Sequence, residues 1–235
     1  MRNFRHSKFI KQHFRKIIVI ITLILVGLFA GCTGEAPEIR QVFWQLNLAF
    51  DPVVDLKYET LSVFVHVADA DGIEDVDLLY ILQDADELLW ELDGDGWQKF
   101  ENGEEVWLGS NNIRMNDGTS FPRSLYRLVV IDRSGERSSE EFFINADDVE
   151  VSKALFPRGS VSGDTITLEG GFSEFTLWFY DESGDQVKIF TSSEKSLPVS
   201  SALNARERQI VRYFYVNTSE TSGGYGYIYG PISLE

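Results

Sequence analysis

Apolar and polar residues alternate in short runs through the body of this chain, and Gly, Asp, Asn and Ser separate the runs. A period of two places apolar side chains on one face of a strand, so the pattern predicts an all-β protein. The predicted strands are residues 42–49, 61–68, 76–82, 87–92, 126–132 and 142–145, followed by 149–155, 165–168, 175–181, 187–191, 209–217 and 225–233. Helix-forming residues without a breaker occur at about residues 200–209, where one or two helical turns are expected.

Two segments resemble each other, residues 126–136 (YRLVVIDRSGE) and residues 175–185 (FTLWFYDESGD). Each combines an aromatic residue, Leu two places on, and an Asp-x-Ser-Gly-acid sequence typical of a strand that ends in a tight turn. The charge also divides the chain, because residues 35–150 hold 27 acids and 8 bases while residues 151–235 hold 10 and 7. We therefore predict two tandem β-sandwich domains, residues 40–147, strongly acidic, and residues 148–235.

The beginning of the chain has a different composition. A basic segment, residues 1–16, precedes an apolar run at residues 17–30, and Cys32, the single cysteine of the chain, follows directly. About 20 apolar residues are needed for a helix to cross a bilayer, so this shorter run does not predict a permanent membrane span. A basic region, an apolar region and small residues before a cleavage point are the marks of a secretory signal peptide, predicted here for residues 1–31.

The residues around the cysteine, Leu28-Phe29-Ala30-Gly31-Cys32-Thr33, resemble the lipobox of bacterial lipoproteins, although Phe29 stands where that motif usually has Leu, Val or Ile. The resemblance implies cleavage after Gly31, a diacylglycerol and further acyl chains such as palmitate on Cys32, and a tether over residues 32–39. The protein would then sit in the bacterial cell envelope, held to a membrane, in a leaflet the sequence does not assign. The alternative is an ordinary signal peptide with an incidental cysteine.

The charge of the exported part limits its partners. Residues 1–31 carry six of the 21 Lys and Arg and none of the 37 acids, so the remaining chain has a net charge of −22. Nucleic acids and anionic membrane surfaces are bound through Lys and Arg, and this charge argues against both. No intramolecular disulfide can form with one cysteine, so stability must come from the burial of apolar side chains.

The spacing of the predicted strands and turns resembles that of one class of β-sandwich domain. The acidic turn at residues 69–75, and Phe121-Pro122 shortly before the Tyr126-to-Asp132 strand, resemble immunoglobulin-like and fibronectin type III-like domains of bacterial surface proteins. The resemblance covers about residues 40–145 and implies two packed sheets, with Trp44, Trp90, Trp107 and Trp178 expected as core anchors.

We predict no cofactor for this chain except, as one alternative, a structural calcium ion at the acidic turn of residues 69–75. An Asp-x-Asp-Gly turn can direct carboxylates inward, and calcium takes six to eight oxygen ligands. The candidate ligands are Asp69, Asp71 and Asp75, and a second such turn lies at residues 93–96. Neither matches an EF-hand loop, and the alternative is that Asp and Gly serve only to form turns.

Tyrosines recur at every second position in the last two predicted strands. They are Tyr213, Tyr215, Tyr225, Tyr227 and Tyr229. If both sets face the same way they form one aromatic surface, which suits recognition of a protein or carbohydrate. The alternative is cross-strand pairing that only stabilises the sheet.

Few residues support catalysis. After residue 31 the single histidine is His66, in the middle of a predicted strand, and no free cysteine is available as a nucleophile. We therefore predict no catalytic residues and a non-enzymatic binding, adhesion or structural module, with an envelope protein or a glycan as partner. The alternative is a glycan-directed envelope hydrolase working through two carboxylates.

Overall fold

The structure, a computed structural model, describes residues 34–103, 105–147, 149–219 and 224–234. Its strands are β1 (Glu38–Asp51), β2 (Leu56–Ala68), β3 (Val76–Gln83), β4 (Leu88–Leu92), β5 (Gln98–Asn102), β6 (Glu105–Ile113), β7 (Leu125–Asp132), β8 (Arg137–Phe143), β9 (Arg158–Ser162), β10 (Thr165–Glu169), β11 (Phe175–Tyr180), β12 (Gln186–Ser192), β13 (Ser196–Pro198), β14 (Tyr213–Ser219) and β15 (Tyr225–Ser233). Two short helices, α1 (Val199–Ala202) and α2 (Ala205–Ile210), and 3-10 turns at Ile73–Asp75 and Val151–Lys153 complete the described elements. The all-β prediction is confirmed.

The strands form one large sheet and two smaller ones. The large sheet has eight strands in the order β12-β11-β14-β15-β1-β2-β6-β5. The smaller sheets have the orders β4-β3-β7-β8 and β13-β10-β9. All pairs are antiparallel except β1 with β15, which run parallel with Leu46 opposite Tyr225 and Phe50 opposite Tyr229.

Each smaller sheet packs on a different part of the large one and encloses a hydrophobic core. The first core joins β1, β2 and β6 to the four-stranded sheet through fully buried residues such as Leu46, Val65, Ile81 and Tyr126. The second joins β11 and β14 to the three-stranded sheet, with Phe179 among its buried residues. Alternation explains both cores, because every second residue of these strands points inward.

The large sheet crosses the predicted division near residue 147, which sequence reasoning did not anticipate. Tyr225, from the last strand, is 1% exposed and belongs to the first core. Its hydroxyl donates to the carbonyl of Asp147 and accepts from Arg123 Nη2 at 2.5 Å. The two cores thus correspond to the two halves of the chain, while β15 holds the halves together.

A buried ion pair fixes the same region. The Glu59 carboxylate on β2 accepts from Arg123 Nη2 at 2.8 Å and from the Phe121 amide at 2.9 Å. The Arg123 side chain also donates to the carbonyl of Ala146 at 3.2 Å. The guanidinium of Arg123 therefore bridges β2, the segment before β7, the connection between the halves and β15.

The two similar segments at residues 126–136 and 175–185 form the same turn. Asp132 Oδ1 accepts from the Glu136 amide at 2.9 Å, and Asp181 Oδ1 accepts from the Asp185 amide at 3.0 Å. The glycine of each turn has a positive φ, 89° at Gly135 and 88° at Gly184, which explains why glycine is present at both.

Three predicted strands need correction. The strand predicted at 209–217 begins only at Tyr213, as β14, because Gln209 and Ile210 belong to α2. The strand predicted at 142–145 is β8, Arg137–Phe143. Most of its residues are polar or charged and exposed, so it shows no alternation of apolar and polar residues. Ile144 is buried but lies beyond the end of the strand. Residues 149–155 are not a strand but contain the 3-10 turn Val151–Lys153, and their alternating apolar side chains pack against the first core as an irregular cover.

Of the four tryptophans expected in the core, two pack against it and two lie elsewhere. Trp44 and Trp90 pack against the first core while remaining partly exposed. Trp107 instead stacks on His66 at 5.4 Å between ring centroids, and Trp178 points away from the second core.

Within the described residues, no helix is long and apolar enough to span a membrane.

Candidate functional site

A cleft of about 290 Å³ lies on the outer face of the large sheet, opposite the two cores. Its floor comes from the central strands, with Ala49 on β1 and Ile228 on β15 directly paired. The loop before β5 contributes Asp95, and the turn after β11 contributes Asp185. The cleft is thus built by strands of both halves, and it exists because one sheet runs through them.

Aromatic rings form one wall of this cleft, which we call the aromatic cleft. On β11 and β14 the register pairs Trp178 with Tyr215 and Tyr180 with Tyr213, so all four rings project from the same face. Tyr180 stacks on Tyr213 at 5.5 Å with an interplanar angle of 11°, and Tyr215 meets Tyr180 edge-on at 5.7 Å. Such contacts hold the rings in fixed positions before any ligand arrives.

Polar side chains form the opposite wall. Arg114 lies 4.1 Å from the centroid of the Tyr58 ring and donates from Nη2 to the Tyr58 hydroxyl at 2.7 Å. Its Nε donates to Asn112 Oδ1 at 2.8 Å, and Asn111 Nδ2 donates to the Tyr180 hydroxyl at 3.4 Å. Amide and guanidinium groups therefore stand across the cleft from the rings.

Two buried polar atoms of the aromatic cleft lack partners. Among the described residues, Thr60 Oγ1 and Gln98 Oε1 are buried without a hydrogen bond, and both side chains line the cleft. An unsatisfied buried polar atom costs about 1–3 kcal/mol, so such atoms call for water or for hydroxyl groups of a ligand.

The phenols of the cleft remain protonated at neutral pH. Burial raises the pKa of Tyr215 to about 12, and the neighbouring Tyr213 adds to the effect. Burial also raises the pKa of Tyr58, Tyr180 and Tyr213. These hydroxyls can consequently both donate and accept hydrogen bonds.

The single aromatic surface predicted from the five tyrosines is wrong. The register pairs Val216 with Tyr229 and Thr218 with Tyr227, so the tyrosines of β15 share a face with the core residues of β14. Tyr213 and Tyr215 lie on the opposite face, in the aromatic cleft. An irregularity between β14 and β15 offsets their register, and periodicity within each strand could not reveal the relation between the two sets.

A larger cleft, of about 860 Å³, opens where residues 152–158 join the halves. Its rings pack on one another, with Phe50 and Phe156 at 5.6 Å and Phe172 and Tyr227 also at 5.6 Å. Lys57 donates to the carbonyl of Ser152 at 2.9 Å. These groups satisfy each other, so the smaller aromatic cleft is the stronger candidate for a binding site.

The structure brings the predicted calcium ligands together. One carboxylate oxygen each from Asp69, Asp71 and Asp75 lies within 4.8 Å of the others. Desolvation raises the pKa of Asp75, the charges of Asp132, Asp69 and Asp71 raise it further, and Arg133 opposes them. In the second acidic turn Asp93 Oδ1 accepts from the amides of Asp95 and Gly96, as Asp69 Oδ1 accepts from the Asp71 amide, but among the described residues no group of close carboxylates forms there.

Sequence reasoning missed half of the aromatic cleft. Tyr58, Arg114 and Tyr180 were not singled out, and the polar run at residues 109–112 concealed β6. The alternation of Trp178 and Tyr180 with the core residues Leu177 and Phe179 is the sequence signal that could have identified them.

Cys32, the predicted lipidation site, lies outside the described residues.

Comparisons with known proteins leave the family open. The sequence matches no family model and no curated protein. Among solved structures, the fold is similar to dimeric latent PorU from Porphyromonas gingivalis, with 14% identity and a TM-score of 0.34. The similarity covers 86% of this chain and 20% of that one, so this chain spans about a fifth of the protein it matches.

Proposed function

We propose that this protein is a lipid-anchored protein of the bacterial cell envelope that binds a saccharide in the aromatic cleft without turning it over. The observation that carries the proposal is the cleft itself, where fixed rings face amide and guanidinium groups across a floor of small and aliphatic side chains. Ligand sites in proteins combine apolar walls with a few convergent polar groups, and this arrangement has both.

The chemistry of the walls favours a sugar over other small molecules. A pyranose ring has a face of C–H groups that packs on an aromatic ring, and hydroxyls at its edge that both donate and accept. Trp178 and Tyr215 offer half-buried rings for the face. Thr60 Oγ1 and Gln98 Oε1 offer unsatisfied oxygens for the hydroxyls. Protonated phenols place no negative charge on the aromatic wall itself.

Binding is tested with soluble oligosaccharides. We expect one of the gluco-, manno- or N-acetylglucosamine oligosaccharides to change the tryptophan fluorescence of the full chain in a saturable manner, because Trp178 lines the cleft. Tyr215→Ala should weaken that affinity at least about tenfold, as expected for a central aromatic contact. Tyr80→Ala is the matched control, since Tyr80 lies on the separate four-stranded sheet.

The same experiment separates binding from hydrolysis. A saccharide that is bound and recovered intact supports the proposal. Release of new reducing ends, abolished by Asp95→Asn or Asp185→Asn at the rim of the cleft, would establish the carboxylate-dependent hydrolase instead. If no saccharide binds, or if Tyr80→Ala weakens binding as much as Tyr215→Ala, the cleft is not the site.

The membrane anchor is supported by the lipobox-like residues 28–33 and by the short tether that follows them. Glu38, where β1 begins, is six residue steps after Cys32, and six extended steps reach at most about 20 Å, which would keep the first sandwich close to the membrane. One acyl chain binds a membrane only marginally, whereas two or three give stable anchoring.

Lipidation is tested by intact mass and detergent partitioning of the protein from its native host. We expect a chain that begins at Cys32 and carries acyl chains, and that partitions into the detergent phase. Cys32→Ala should abolish acylation and move the protein to the aqueous phase. A wild-type chain without acyl groups would remove the anchor from this proposal and leave the saccharide site untouched.

A further inference from the structure

The acidic turn at residues 69–75 lies beside a buried carboxylate of a different strand. We propose that the turn binds a Ca²⁺ ion through the carboxylates of Asp69, Asp71 and Asp75, that the buried carboxylate of Asp132 adds negative charge beside them, and that the ion fixes the start of the folded chain, Gly34 and Glu35, against the first sandwich. This inference is independent of the saccharide site, which lies on the outer face of the large sheet.

The spacing of the turn suits calcium. Calcium–oxygen distances are about 2.3–2.6 Å, so oxygens on opposite sides of one ion stand about 4.6–5.2 Å apart. The oxygens of Asp69, Asp71 and Asp75 all fall within 4.8 Å of one another. The turn holds them there, because the Asp71 amide donates to Asp69 Oδ1 at 2.8 Å and the Asp75 amide donates to the Gly72 carbonyl at 2.9 Å.

Asp132 supplies a second, independent observation. It is 2% exposed, and among the described residues its Oδ2 is buried without a hydrogen-bond partner. It ends β7 at the position paired with Val76, next to Asp75, and the Arg133 amide donates to the Asp75 carbonyl at 2.8 Å. A buried carboxylate oxygen without a partner, on the residue that pairs with the neighbour of Asp75, is costly unless a cation lies near it.

The similar turn at Asp181 shows which of the two carboxylate oxygens of Asp132 is needed to form the turn. In both turns Oδ1 accepts the closing amide bond, so one oxygen is enough to form the turn. Asp181 is partly exposed to solvent, whereas Asp132 is buried. The turn therefore accounts for Oδ1 of Asp132 and leaves Oδ2 for another role.

The start of the folded chain crosses this site. The Glu35 amide donates to Asp71 Oδ2 at 3.2 Å. A Cβ atom on Gly34 would lie 2.7 Å from Ser134 Oγ and 3.4 Å from Asp71 Oδ2, and that same Ser134 hydroxyl donates to Asp132 Oδ1 at 2.8 Å. An ion that fixes Asp71 also fixes Gly34 and Glu35, because these contacts link them to Asp71.

The test is a calcium titration of the full chain in detergent, by calorimetry and by thermal unfolding with calcium or with EDTA. We expect saturable binding of one ion per chain and, at calcium about 100 times the dissociation constant, a rise in Tm of about 5 °C or more. Asp75→Asn and Asp71→Asn should each lose the binding and the rise. In EDTA neither variant should melt below the wild type, because each removes one of four repelling charges.

Asp95→Asn is the matched control, since it changes the acidic turn at residues 93–96 and should retain both the binding and the rise. A wild-type chain with no saturable calcium binding would overturn the proposal. So would an Asp95→Asn variant that loses calcium binding as completely as Asp75→Asn. Magnesium at the same concentration should bind more weakly, because it demands shorter and more regular coordination.

Discussion

Replacing Arg123 with Met is expected to lower the free energy of unfolding by about 3–5 kcal/mol, the usual cost of leaving a buried charge without its partner. The Glu59 side chain is 1% exposed, and Arg123 is its ion-pair partner at 2.8 Å. Methionine retains much of the aliphatic volume of arginine, so the loss reports the missing charge and hydrogen bonds. Urea unfolding of the full chain measures it.

Arg127→Met is the matched control for this prediction. Arg127 also pairs with an acid, Asp84, at 2.9 Å, but the two side chains are 38% and 67% exposed. An exposed pair contributes about 0–1 kcal/mol, so this variant should unfold almost as the wild type does. The double variant Glu59→Gln/Arg123→Met should recover part of the lost stability. Equal effects of Arg123→Met and Arg127→Met would contradict the role assigned to the buried pair.

Replacing Gly109 with Ala is expected to cost about 3 kcal/mol, at the upper end for an added methyl group in a packed site. A Cβ atom at this position would lie 2.0 Å from the Val63 carbonyl oxygen and 2.7 Å from Phe64 Cα. These are backbone atoms of β2, so no side chain can rotate away and the pairing of β2 with β6 must open. The midpoint of urea unfolding should fall while its slope stays unchanged.

Gly94→Ala controls for the general effect of adding a methyl group to a glycine. Among the described residues, no heavy atom outside Gly94 and its two chain neighbours lies within 4 Å of a Cβ built on Gly94, and its φ is not in the left-handed region. Its free energy of unfolding should stay within about 0.5 kcal/mol of the wild type. If Gly109→Ala were equally neutral, β2 and β6 would not approach as closely as described.

The sequence predicts this fold well where alternation is strong. Residues 225–233 coincide with β15, and residues 76–82 fall within β3. β5 and β6 were missed because their polar residues interrupt the pattern, and the Ser-Asn-Asn segment of β6 is polar because it lines the aromatic cleft. The sequence was therefore least informative at the aromatic cleft, where polar residues line the surface and do not enter the core.

Contacts between distant residues were also outside the reach of pattern analysis. The acidic turn was visible as a local motif, but its connection to Asp132 depends on the pairing of β3 with β7. The face on which Tyr215 lies depends on the register of β14 with its neighbours. Periodicity reports which side chains share a face within one strand, and it is silent on how strands are placed beside one another.

The parallel pairing of β1 with β15 determines the order in which the molecule can be completed. During synthesis β1 is made before β15, so the growing chain holds this edge of β1 unpaired until residues 225–233 have been made. Until then the first core also lacks Tyr225. An unpaired edge strand readily pairs with other chains. A fragment that stops before residue 225 is thus an aggregation hazard and not a smaller working protein.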